Sequence, residues 1–153
     1  MSTIEERTAI VDVTTRMAWL ADRRDWDALV AGVFVDRVQL DYTSLTGGEP
    51  ATLAPADIVA GWRRGLGGLD ATQHLVSNHL VDIDGDRAVA TAQFQATHVL
   101  ANPSGDRVWT LGGHYRFELA RRSDGWRIDA LTMTVTWATG NQQIMALAAT
   151  ASP

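Results

Sequence analysis

The stretch TQHLVSNHLVDIDGDRAVATAQFQATHVL, residues 72–100, reads as two long strands joined at Asp84-Gly85. Glycine tolerates positive φ, so this dipeptide is a hairpin-turn signal. The first strand spans Thr72 to Ile83 and the second Arg87 to Ala101. Asn102-Pro103-Ser104-Gly105 turns the chain into a third strand, Arg107 to Arg121, and Ser123-Asp124-Gly125 into a fourth, Trp126 to Ala138. Short connections make such neighbours antiparallel, and strands of this length must twist and curl. Gly112-Gly113 inside the third strand fits a bulge that helps it bend.

Upstream, the signals are helical. Thr3 and Glu6 have capping-box spacing, and Ile10, Val13, Met17 and Leu20 recur at helical intervals. Asp25 fits the N-cap of a second helix with the apolar face Trp26, Leu29, Val30, Val33 and Phe34. A short strand, Val38 to Tyr42, and a loop, Thr43 to Pro50, come next. Pro55 opens a third helix carrying Ile58, Val59 and Trp62, and Gly65, Gly67 and Gly68 stop it. The Ala-rich segment Gln142 to Ala149 reads as a last helix. Helices followed by a meander predict an α+β fold. A curled sheet with helices across its concave face encloses a cone, a natural small-molecule pocket.

With 153 residues, the chain reads as one domain spanning 1–153. Cysteine is absent, which excludes disulfides, a thiol nucleophile and a Cys-based metal site. All 13 basic residues are Arg, so no Schiff-base or P-loop lysine exists. The net charge of −5 argues against a nucleic-acid partner. The start, Met1-Ser2-Thr3-Ile4-Glu5-Glu6, has no basic stretch followed by an apolar run, so no signal peptide is expected there. No apolar run approaches the roughly 18 residues of a membrane span. The expectation is a cytoplasmic protein without membrane partners.

Strand parity sorts the four histidines. His98 shares the row of Ala88, Ala90, Ala92, Phe94 and Ala96, so it points into the apolar layer. His74 shares a face with Val76, Asn78 and Leu80. His79 falls opposite, with Leu75, Val81 and Ile83, and is read as structural. His114 lies with Arg116 and Glu118 and is expected to be exposed. An inward histidine is more often a hydrogen-bonded core residue than a catalyst, but two in one cone favour chemistry. Trp19, Trp62, Phe94, Trp109 and Trp137 read as core or pocket wall, the candidate binding surface. Asp22 sits at a helix end where the macrodipole disfavours negative charge. On a wheel it falls with Thr15, Ala18 and Trp19, away from the main apolar stripe. Parity and wheel leave open whether it meets solvent or the cone.

Several motifs in order complete the picture: Asp22-Arg23-Arg24-Asp25-Trp26, Leu40-Asp41-Tyr42, Thr72-Gln73-His74, Gly113-His114-Tyr115 and Asp124-Gly125-Trp126-Arg127-Ile128. Together they resemble the SnoaL-like branch of the NTF2-like superfamily, closest in look to scytalone dehydratase and hexachlorocyclohexane dehydrochlorinase. The resemblance implies an NTF2-like cone, with N-terminal helices packed on a curled, mostly antiparallel sheet. It also implies an Asp–His dyad: Asp22 falls at the aspartate position and His74 at that of the general base. Tyr42 falls where a dehydratase tyrosine holds a water, and His98 where a second pocket histidine lies. Ala21 replaces a tyrosine, the dehydratase Ser and Asn contacts have no match, and the dehydrochlorinase lysine cannot exist here.

The implied activity is a cofactor-independent lyase, dehydratase or isomerase acting on a small apolar substrate of polyketide, aromatic or steroid type. An ordinary imidazole titrates near ~6.5, which suits proton abstraction beside a carbonyl. A carboxylate on its other nitrogen fixes the tautomer, and Tyr42 or His98 could donate to the developing oxyanion. The competing reading is a non-catalytic small-molecule binder. A metal site of two histidines and an aspartate ranks last, because the dyad enzymes it resembles need no metal; His74 and His79, five apart on one strand, should also point to opposite faces. No metal is expected. An apolar outer sheet face and the family resemblance predict a homo-oligomer, dimer or trimer.

Overall fold

A computed structural model describes residues 3–103 and 105–151. Met1, Ser2 and Ser104 lie outside the described residues, so part of the expected start and of the Asn102–Gly105 turn does too. Helix α1 (Thr3–Asp22) is followed by α2 (Trp26–Gly32), β1 (Phe34–Asp41), a one-turn α3 (Thr43–Thr46) and β2 (Ala51–Leu53). Then come α4 (Pro55–Leu66), β3 (Ala71–Asp84), β4 (Arg87–Val99), β5 (Val108–Arg122), β6 (Gly125–Gly140) and α5 (Gln143–Ala151). The sheet has six strands in the order β2-β1-β6-β5-β4-β3. The four-stranded meander is therefore extended by β1, parallel to β6, and by β2 antiparallel to β1. Among the described residues no helix is long and apolar enough to cross a membrane.

Thr3 lies inside α1 rather than capping it, and Glu6 pairs with Arg121 instead of closing a capping box. The buried stripe of α1 is Ile10, Val13, Thr14, Met17, Ala18 and Ala21, wider than the expected one, with Leu20 at its margin. Asp25 caps α2 by accepting from Ala28 N–H at 3.2 Å. The helix ends at Gly32, two residues before Phe34, where the chain becomes extended. The run Val33-Phe34-Val35 is branched and aromatic, which favours strand over a further helical turn. Tyr42 lies just past β1, at the start of α3. Gly65 does not stop α4; it sits in the last turn.

The bulge lies where the glycine pair predicts it, between Gly112 and Gly113 in the β5–β6 register. A Cβ on Gly113 would sit 1.9 Å from the Thr134 carbonyl oxygen, so only glycine allows this approach. A second bulge, between Ser77 and Leu80, is not signalled by glycine; Asn78 takes it up with φ +56. It reverses the phase of β3. His79 thus joins Val81 on the helix-facing side, where its Nε2 meets Thr14 Oγ1 at 3.0 Å. The expectation that His74 and His79 face opposite ways is overturned. They remain apart because their α1 partners, Asp22 and Thr14, are eight residues, about 12 Å, apart.

The outer sheet face is not apolar as expected. Opposite rows carry Gln73, Leu75, Ser77, Gln93, Gln95, Thr97, Thr110 and His114. Strand alternation assigned these to the non-core side, and polar threonines and glutamines fill it. Trp137 folds onto Gly112 across this face and is 46% exposed.

Candidate active site

The end of α1 meets the start of β3. The Asp22 carboxylate accepts three hydrogen bonds there: from Thr72 Oγ1 at 2.9 Å, the His74 backbone N–H at 2.8 Å and His74 Nδ1 at 2.7 Å. A carboxylate only accepts, so Nδ1 carries a proton and neutral His74 keeps its lone pair on Nε2. Burial pushes the Asp22 pKa up, but hydrogen bonds from the His74 ring and backbone, its charge and Thr72 outweigh this. The net result is a carboxyl group below its ordinary range. These donors also offset the unfavourable helix C-terminus. The wheel ambiguity is resolved by one residue of rotation. Ala18, one turn before Asp22, is buried, whereas Trp19 turns outward and is 62% exposed.

His98 stands on β4, edge to face with His74, their ring centroids 5.6 Å apart at 87°. It is 3% exposed, and its Nδ1 lies 3.2 Å from the Trp109 carbonyl oxygen. A carbonyl only accepts, so Nδ1 is the donor and Nε2 an acceptor. Burial, then the neighbouring His74, lowers the His98 pKa to about 4. At neutral pH His98 is uncharged, so the expected role as proton donor to an oxyanion is replaced by that of acceptor.

This has a measurable consequence. The unfolded chain protonates His98 near the ordinary 6.5, the folded chain only near 4. Stability is full above 6.5, falls as pH drops through this window, and loses about 3 kcal/mol by its lower end. Urea midpoints measured across pH 4 to 7 should slope in the parent protein and slope less in His98→Leu, where the remainder comes from His79, whose pKa burial also lowers. Asp22 acts lower: its contribution is present above the unfolded carboxyl range and is lost as pH falls through the lowered folded value.

Tyr42 stacks on Trp62 at 6.4 Å, and both Tyr42 and Tyr115 line the cavity with their side chains interacting. Burial raises the pKa of both phenols, so both are protonated donors. Two protonated phenols on the cavity wall offer an O–H to a ligand. Tyr115, which lines the cavity, is not among the candidates read from the sequence. Parity could have found it, because it is paired with Ala92, shares the inward row of Phe117 and Leu119, and is 2% exposed.

His74, His98, Tyr42 and Tyr115 converge on a cavity of about 160 Å³. Ala18 and Ala21 of α1, Trp62 of α4, Phe94 and Ala96 of β4, Trp109 of β5 and Met145 of α5 complete its apolar wall. Trp62, Phe94 and Trp109 are therefore wall residues as expected. Trp19 and Trp137 are not; both face outward, Trp19 with the Arg23 guanidinium 6.0 Å from its ring.

A SnoaL-like domain model matches residues 2–132. The chain belongs to the SnoaL-like family. No curated protein sequence matches it. Among solved structures, the Kfla4162 protein of Kribbella flavida is 31% identical, with 98% of this chain and 100% of that one aligned and a TM-score of 0.88. A candidate scytalone dehydratase of Novosphingobium aromaticivorans is 19% identical, with 91% and 89% covered and a TM-score of 0.74. A type 2 hexachlorocyclohexane dehydrochlorinase, LinA, is 16% identical, with 90% of each chain covered and a TM-score of 0.75. At such identities the last two show a shared fold, the NTF2-like cone, to which this SnoaL-like chain conforms.

Proposed function

We propose that this SnoaL-like protein is a cofactor-independent lyase or isomerase that removes a proton from carbon beside a carbonyl. The observation that carries the reading is the 2.7 Å contact of Asp22 with His74 Nδ1, which leaves Nε2 as a base at the cavity. The substrate C–H bond breaks, its proton passes to Nε2, and its electron pair forms an enolate. Asp22 stabilises the imidazolium that results. Tyr42 and Tyr115 donate to the enolate oxygen. In a lyase the β-hydroxyl leaves with the proton returned by His74, as water; in an isomerase the proton returns to another carbon. The candidate scytalone dehydratase and the hexachlorocyclohexane dehydrochlorinase among the similar structures support a proton-removing elimination.

The test is a screen of cyclic β-hydroxy ketones for enone absorbance. Asp22→Asn should lower the rate substantially, because an amide can hold the wrong tautomer and cannot stabilise imidazolium. Combined with His74→Ala its effect should be far from additive, since the pair acts as one unit. An Asp22→Asn protein with undiminished turnover refutes the dyad. Ligands bound throughout the screen with no turnover favour the binding-protein reading.

We also propose that the protein self-associates through the outer sheet face. The Gln73–Thr97–Thr110, Leu75–Gln95–Gly112 and Ser77–Gln93–His114 rows carry no carboxylate, Lys or Arg, in a chain that is 20% charged; Arg116 and Glu118, paired with each other, follow just beyond them on the same face. Sedimentation at micromolar concentration should give a multiple of 16.6 kDa; a monomer contradicts the proposal.

A further inference from the structure

The cavity limits its ligand in three ways. Its volume is about 160 Å³, close to the ~150 Å³ of an apolar protein cavity that accepts benzene. No Arg lines it and the chain has no Lys, so an anionic ligand would find no counter-charge. It would instead approach Asp22, the carboxylate behind His74.

The third limit is the direction of hydrogen bonding. The Trp109 carbonyl occupies His98 Nδ1–H, so Nε2 can only accept. Nε2 has no partner among the described residues, and it is not a sealed polar atom; it opens on the cavity that His98 lines. Tyr42 and Tyr115, which line the same cavity, supply donors. An acceptor and a donor at fixed places select a ligand with a complementary pair.

We propose that the substrate is an uncharged compound no larger than one six-membered ring, with a hydroxyl or N–H bonded to His98 Nε2 and an oxygen held by the tyrosines. As a statement about substrate this rests on the reading of His74 as base. Steroid-sized and fused-ring compounds fall outside the class, which narrows the range implied by the sequence.

Calorimetric titration of the full-length protein with four unreactive probes tests this. Phenol fits all three limits. Fluorobenzene matches its size and lacks the donor, 1-naphthol adds a ring, and benzoate adds a charge. Phenol should bind about tenfold more tightly than each of the others, the scale of one net hydrogen bond or more. His98→Leu should abolish the preference for phenol over fluorobenzene. If that variant does not fold, the His98 Nε2 resonance of the parent protein should move on saturation with phenol and not with fluorobenzene. Equal binding of 1-naphthol or benzoate overturns the size or charge limit. Equal binding of fluorobenzene, or a His98 resonance unmoved by phenol, overturns the donor assignment. None of the probes has a carbonyl with a transferable α-proton, so a failed catalytic reading would leave this outcome intact.

Discussion

His74→Ala is expected to lower turnover by roughly 10²–10⁴-fold, the usual contribution of a positioned general base. Ligand affinity should change by less than about tenfold, or about 1.4 kcal/mol. The division follows from the site. The substitution deletes the Nε2 acceptor, while the apolar wall of Trp62, Phe94, Trp109 and Met145 and the tyrosine donors remain. Steady-state rates paired with calorimetric binding would separate the two effects. Loss of binding in step with rate would make His74 a wall residue, and full activity would rule out the mechanism.

The second large effect concerns the bulge that bends the sheet. Gly113→Ala should destabilise by about 3 kcal/mol, the upper end of overpacking. Its new Cβ would sit 1.9 Å from the Thr134 carbonyl oxygen, a backbone atom fixed in the β5–β6 pairing. Gly112→Ala would meet the Trp137 ring at 2.3 Å, a clash of the same severity on paper. Trp137 is a half-exposed side chain that can swing away, so this neighbour should cost about 1 kcal/mol or less. Urea unfolding of the two variants checks the contrast. Equal losses would mean that the strands do not approach each other as described.

Much of this was legible in the residues. Regular alternation from Ala88 to His98 assigned the inward row of β4 without error, because that strand has no bulge. The same reasoning failed on β3, where Asn78 accommodates a bulge that a non-glycine residue conceals. Asp22 could not be placed by its wheel position, since its environment is created by β3, fifty residues on. Trp19 shows the same limit from the other side: large apolar character says nothing of direction when a helix packs on only part of its circumference. The β1–β6 pairing is parallel and long-range, so no turn chemistry announces it. Tyr115 is legible from the same alternation, since it shares the inward row of Phe117 and Leu119.

The central claim is that Asp22-held His74 takes a proton from carbon. Deuterium exchange into the α-positions of 4-hydroxycyclohexanone in D₂O, followed by NMR, measures that step on a compound with the required donor and without a leaving group beside the reacting carbon. The account predicts enzyme-dependent exchange that falls at least about a hundredfold in His74→Ala. Exchange by His74→Ala at the parent rate would contradict it.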